Sequence, residues 1–182
     1  MQRLRNFGCE EIICLYQALT GHPEFTDQVY FQHTSFDQYK YLAAGVPFSH
    51  KWQLAEYITR DPEREQAMYD LKVTNPRYVV THLTSSEQTV ELDPGLIPEG
   101  WAQVEITNEG AIFDWLMVIE RAEAIVMTDS CMANLVDQLS LGTDRYFIPQ
   151  HHMGLTPVHA NHWTWLANSR LKSQARMFGV PR

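Results

Sequence analysis

The stretch from Ala124 to Gln150, AIVMTDSCMANLVDQLSLGTDRYFIPQ, limits the fold more than any other part of the chain. Ala124 to Met127 is a short apolar run that ends in Thr128-Asp129-Ser130. Apolar residues then recur at Met132, Leu135, Val136 and Leu139, a helical spacing. Gly142 and Thr143 interrupt that pattern, and Arg145 to Ile148 is a second β-prone run. The order is therefore strand, polar turn, helix, strand. Two strands joined through a helix lie parallel, and the turn after the first falls at the carboxyl edge of the sheet, where open α/β sheets bind ligands. Function is expected at that turn.

The rest of the chain is consistent with one sheet of this kind. With 182 residues, 45% of them hydrophobic, the chain can bury one core and carry at most an appendage beside it. A net charge of -8 and a pI near 5.4 oppose a general nucleic-acid surface, which needs clustered Lys and Arg. No window is long and apolar enough for a membrane span, and Met1 to Asn6 lacks the apolar core of a secretory signal, so a soluble, cytoplasmic protein is expected. Cys9, Cys14 and Cys131 are an odd number of thiols in helix-like apolar contexts, which reads as buried free cysteines.

Taken in order, Gly8 to Leu19 carries one apolar helical face, Gln28 to Gln32 is a short strand candidate, and Phe36 to Ala44 reads as a helix closed by Gly45 and Pro47. Trp52 to Thr59 is a further short helix. Asp61-Pro62-Glu63 then supplies an N-cap, a proline at the first helical position and an acid in the first turn. Beyond Asn75-Pro76 the character changes. Arg77 to Leu83 is β-rich and opens onto Thr84-Ser85-Ser86, Thr89 to Leu92 is another short strand candidate, and Gln103 to Thr107 alternates as a strand does. Asn108-Glu109-Gly110 leads into a helix from Ala111 to Ala122, with Ile112, Trp115 or Leu116, and Ile119 inward. After Ile148, His151 to Pro157 is turn-like, and Trp163 to Leu171 reads as a closing helix. The expectation is a doubly wound, parallel, Rossmann-like α/β domain over residues 76–182, with a mainly helical amino-terminal region over residues 1–75.

The succession of YVVTHL, VEIT, IFDWLMVIERA and AIVMTDSCMANLVDQL resembles the nucleotide-sugar half of GT-B-type glycosyltransferases. The upstream stretches AAGVPFSHKW and ITRDPEREQAMYDL resemble the linker and helix that precede this half in some bacterial proteins of that kind, so the likeness runs from Phe36 to Trp165. It implies a nucleotide-activated sugar as substrate, no separate cofactor, and, should transfer occur, a metal-independent mechanism. On this likeness the turn beginning at Thr128 is the small hydroxyl-bearing one that meets the donor. Asp129, Ser130 and Cys131 border the donor diphosphate there, with N–H groups of the helix start as donors. His82, Thr84 and Ser85 lie at the neighbouring strand end, with His82 as general base. Asn108 and Glu109 touch base or ribose, and His151 and His152 reach phosphate from the loop after the last strand. Each has a plainer reading beside it: a helix cap for Asp129, Ser130 or Asn108, and an inward core residue for His82.

Two features set the chain apart from such enzymes. Its first 75 residues are too short and strand-poor for a second nucleotide-binding domain, and between Ala102 and Gln150 only Arg121 and Arg145 are basic. The alternative reading is therefore a non-catalytic interaction or assembly module derived from that fold, buried against a protein partner or a second copy. His151, His152, His159 and His162 raise a metal site as a third idea. Their spacing fits no structural-zinc pattern, and solvated histidines in a turn are the simpler expectation. Trp163 and Trp165 read as core or interface anchors.

Overall fold

The computed structural model describes residues 34–84, 89–149, 159 and 162–166. The expected helix from Gly8 to Leu19, the strand from Gln28 to Gln32, and Cys9, Cys14, Ser85, His151 and His152 lie outside these residues. The chain divides into two compact units, with the boundary between Lys51 and Trp52. In the first, α1 (Phe36–Ala43) begins where the Ser35 N–H donates to Gln38 Oε1 at 2.8 Å, and Gly45 ends it at φ 66°. Asp37 on its first turn pairs with the buried Lys51 at 2.5 Å.

The second unit is built on five parallel strands: β1 (Tyr78–His82), β2 (Ala102–Glu105), β3 (Ala124–Thr128), β4 (Asp144–Ile148) and β5 (Trp163–Trp165). Their order across the sheet is β2-β1-β3-β4-β5. Strands covered on both faces read as unbroken apolar runs, and here Val79 and Val80 on β1 and Ile125, Val126 and Met127 on β3 are fully buried.

The two faces are covered differently. Val80, Val104, Ile125, Met127, Phe147 and Trp163 face a layer made by α2 (Pro62–Lys72), a 3-10 turn Ile112–Trp115 running into α3 (Leu116–Glu120), and α4 (Cys131–Val136). Val79, Ala124, Val126, Tyr146 and Ile148 face the β1–β2 connection, which contributes Leu92 and Leu96. The strand order accounts for this. The step from β1 to β2 runs opposite to the steps from β2 to β3 and β3 to β4, so connections of one hand must lie on opposite faces. Among the described residues the second face is covered by this coil and a 3-10 turn at Pro94–Leu96, with no α-helix.

Asp61 caps α2 by accepting the Arg64 N–H at 3.2 Å, with Pro62 as the first helical residue. Arg60 then clamps two helices, grasping the buried Glu65 of α2 and binding both carboxylate oxygens of Glu120 on α3 at 2.7 and 2.8 Å. Tyr78 anchors the sheet to the same layer, its hydroxyl donating to Val118 O at 2.7 Å.

Three expectations are corrected. Trp163 to Trp165 is a strand, because aromatic and β-branched residues suit the pleated edge beside β4, and Leu166 N–H extends the ladder to Phe147 O at 2.8 Å. Thr89 to Leu92 makes a single antiparallel bridge, Thr84 with Thr89, and then packs as coil. The α-helix after Ser130 ends at Val136, short of Leu139, and the chain tightens into turns in which the Gln138 and Leu139 N–H groups donate to Leu135 O and Val136 O at 3.0 and 3.1 Å. No helix among the described residues is long and apolar enough to cross a membrane.

Candidate ligand site at the carboxyl edge

In a parallel sheet with the order 2-1-3-4-5, the connections leaving β1 and β3 diverge, and a crevice opens between the carboxyl ends of those two strands. β1 ends at His82, whose neighbour in register on β3 is Met127. Ser130, extended at φ -162° and ψ 167°, caps α4 two residues past β3. Its Oγ accepts the Ala133 N–H at 3.3 Å and lies 3.0 Å from His82 Nδ1. The crevice at the switch point therefore holds an imidazole and a hydroxyl in contact.

Burial of His82 lowers its pKa by disfavouring the imidazolium, and the Glu105 carboxylate opposes that shift. The ring is thereby biased toward its neutral form, which can act as a base. With Nδ1–H donating to Ser130 Oγ, the Nε2 lone pair is left for a ligand; with the serine donating instead, the ring proton sits on Nε2.

Beside this pair is a recess of about 180 Å³. Ile106, Ile112, Trp115 and Met132 supply apolar lining, and His82, Asn108, Glu109 and Cys131 supply polar groups. The loop that forms its outer wall is held from below. Gly110 adopts φ 68°, where a Cβ would come within 2.7 Å of Asp114 Oδ2 and 2.8 Å of Met68 Cε. Asp114 Oδ2 accepts the Ala111 N–H at 2.7 Å and pairs with Arg64 at 2.6 Å. The Ala111 N–H, with Arg64 adding to it, holds this carboxyl below the usual range against the opposing effect of burial. Trp115 Nε1 donates to Glu109 O at 3.0 Å, and the Glu109 carboxylate pairs with Lys72 at 2.5 Å.

The residues singled out from sequence separate into groups. His82, Ser130, Cys131 and Asn108 converge on the crevice and its recess. Cys131, expected to be buried, is exposed because the first residue of α4 points past the edge of the sheet. Thr128 is buried, and its hydroxyl donates to Ile148 O at 3.0 Å, so it ties β3 to β4. Thr84 is exposed, 3.2 Å from Thr89 across the bridge. Asp129 follows β3 at the same edge.

Gly110, Asp114 and Trp115 were not singled out from sequence as wall residues, although an acid at the third position of the turn after Ala111 is a helix-start signal. Also missed is a buried cluster where β5 attaches. Asp137 accepts from His159 Nδ1 at 2.6 Å and from Trp163 Nε1 at 2.5 Å, and the His159 ring packs tilted on Phe147, ring centroids 4.3 Å apart. His159, expected in a solvated turn, is buried. Residues 22 apart in sequence give no local signal of that pairing. Among the described residues, no three His, Cys, Asp or Glu side chains gather as they would around a metal ion.

Fold and site together define an α/β protein with a mainly apolar recess, carrying a few polar groups, at the switch point of a parallel sheet. None of the protein-family models, curated proteins or solved structures compared with the chain matches it.

Proposed function

We propose that the chain is a glycosyltransferase-like protein that binds a nucleotide-activated sugar at the carboxyl edge of its sheet. The observation that carries this reading is the contact of His82 with Ser130 in the crevice between β1 and β3, beside the recess. An apolar lining with a polar rim suits a nucleobase or sugar ring, and Asn108 offers both donor and acceptor to such a ring. Should transfer occur, His82 is the base, with Nδ1–H on Ser130 and Nε2 toward the acceptor hydroxyl. The route is metal-independent.

One observation favours the alternative, a non-catalytic assembly module. None of the described residues lining the recess is Lys or Arg; Arg121 lies 4.7 Å from the Tyr69 ring, and Arg145 lies at the opposite edge of the sheet. A diphosphate ordinarily meets such cations.

A thermal-shift panel of UDP, GDP, CMP and ADP sugars with the full chain distinguishes the two. Stabilisation by one nucleotide class, reduced in His82→Ala, supports donor binding. A flat response to the whole panel rejects it. Self-association seen by light scattering then supports the assembly reading.

A further inference from the structure

A second cavity lies at the amino-terminal edge of the sheet, away from the His82 crevice. Its volume is about 630 Å³, within the range of small-molecule sites. Among the described residues its walls include Trp52, the connection from Gln138 to Gly142, Arg145 at the start of β4, and His162. Arg145 is only 6% exposed, yet among the described residues its guanidinium makes one hydrogen bond, from Nη2 to Leu141 O at 3.3 Å. Its Nε is buried without a partner, and so is Oε1 of Gln138 beside it.

Burying the Nε–H unmet costs free energy that an acceptor recovers, and the planar fork of a guanidinium, with five N–H donors, suits a carboxylate. Trp52, Leu139 and Leu141 add an aromatic and aliphatic wall. Asp137 also lines the cavity, but its two oxygens are engaged by His159 and Trp163. One cation beside one committed carboxylate suits a singly charged anion better than a phosphate dianion.

We propose that this cavity is a second binding site, which takes a small organic carboxylate with an apolar or aromatic body. The carboxylate sits on the Arg145 guanidinium and the body against Trp52. This site stands apart from the carboxyl-edge reading and does not depend on it.

The test is titration of the full chain with phenylacetate and its neutral counterpart phenylacetamide, followed by amide NMR shifts of residues 139–145. Phenylacetate should give saturable shifts there, and phenylacetamide should bind about tenfold or more weakly, as loss of a charge-assisted hydrogen bond predicts. Arg145→Gln should lose the phenylacetate response. If that variant does not fold, Gly142→Leu serves instead. Gly142 lines the cavity and a Cβ there meets no atom within 4 Å, so the larger side chain fits without a clash, takes up cavity space and should weaken binding by a similar factor. Absence of saturable shifts, an equal response to the amide, or unchanged affinity in the variant that folds overturns the proposal.

Discussion

Gly110 is a position where backbone and packing impose the same residue. Its positive φ strains any other residue, and a Cβ would push the Asp114 carboxylate off the Ala111 N–H and Arg64, so Gly110→Ala should destabilise the fold by about 1–3 kcal/mol in urea denaturation. Asp114 gives the same loop a pH dependence. Its carboxyl is held below the usual range by the Ala111 N–H and Arg64, so the folded state binds its proton less readily than the unfolded chain. The stability it contributes is complete above an ordinary aspartate pKa of about 4 and is lost as pH falls through the lowered folded value. Stability measured against pH should therefore fall less steeply in Asp114→Asn than in the parent chain across that acid range. At the crevice, Ser130→Ala removes both the α4 cap and the partner of His82 Nδ1. The expected cost is about 1 kcal/mol, and NMR titration of the His82 ring should move with it; an unmoved titration would show that the contact does not govern the imidazole.

At the scale of elements, a buried polar knot adds to the ladder that joins β5 to β4. Asp137 binds the ring nitrogens of both His159 and Trp163, all three being buried, so removing the carboxylate strands two donors at once. Asp137→Ala should cost about 3 kcal/mol, with hydrogen exchange accelerating first at Trp163–Trp165 while β1 and β3 stay protected. Uniform loss of protection across the sheet would instead show that β5 is integral to the core. Which elements could be read from the sequence follows from how local their causes are. Asp61-Pro62 marks the α2 start because a cap and a ring-fixed φ act within three residues. The three central strands stand out because burial on both faces leaves unbroken apolar runs. Trp163-Thr164-Trp165 suits helix or strand by composition, and only the open edge of β4, set by chain far away in sequence, decides between them.

For the whole molecule, the carboxyl edge of β3 could be identified from Ala124 to Ser130, but the position of the crevice depends on which strand lies beside it. That order is not encoded in any one segment. It places His82 against Ser130 across 48 residues, and it brings Asn108 and Met132 onto one recess. Arg64 and Asp114, which set the recess wall, meet across 50 residues for the same reason. The order also has a kinetic consequence. All pairings among the five described strands are parallel, so no hairpin joins any two of them, and β1 lies inside the sheet with β2 on one side and β3 on the other. As the chain is synthesised, Tyr78 to Thr81 emerges first and must wait for β3, more than 40 residues later, before both of its edges are paired. Closing loops of that length is slow, and an unpaired strand edge is open to other chains meanwhile. Of the three strands flanked on both sides, β1 therefore waits longest for its second partner during synthesis.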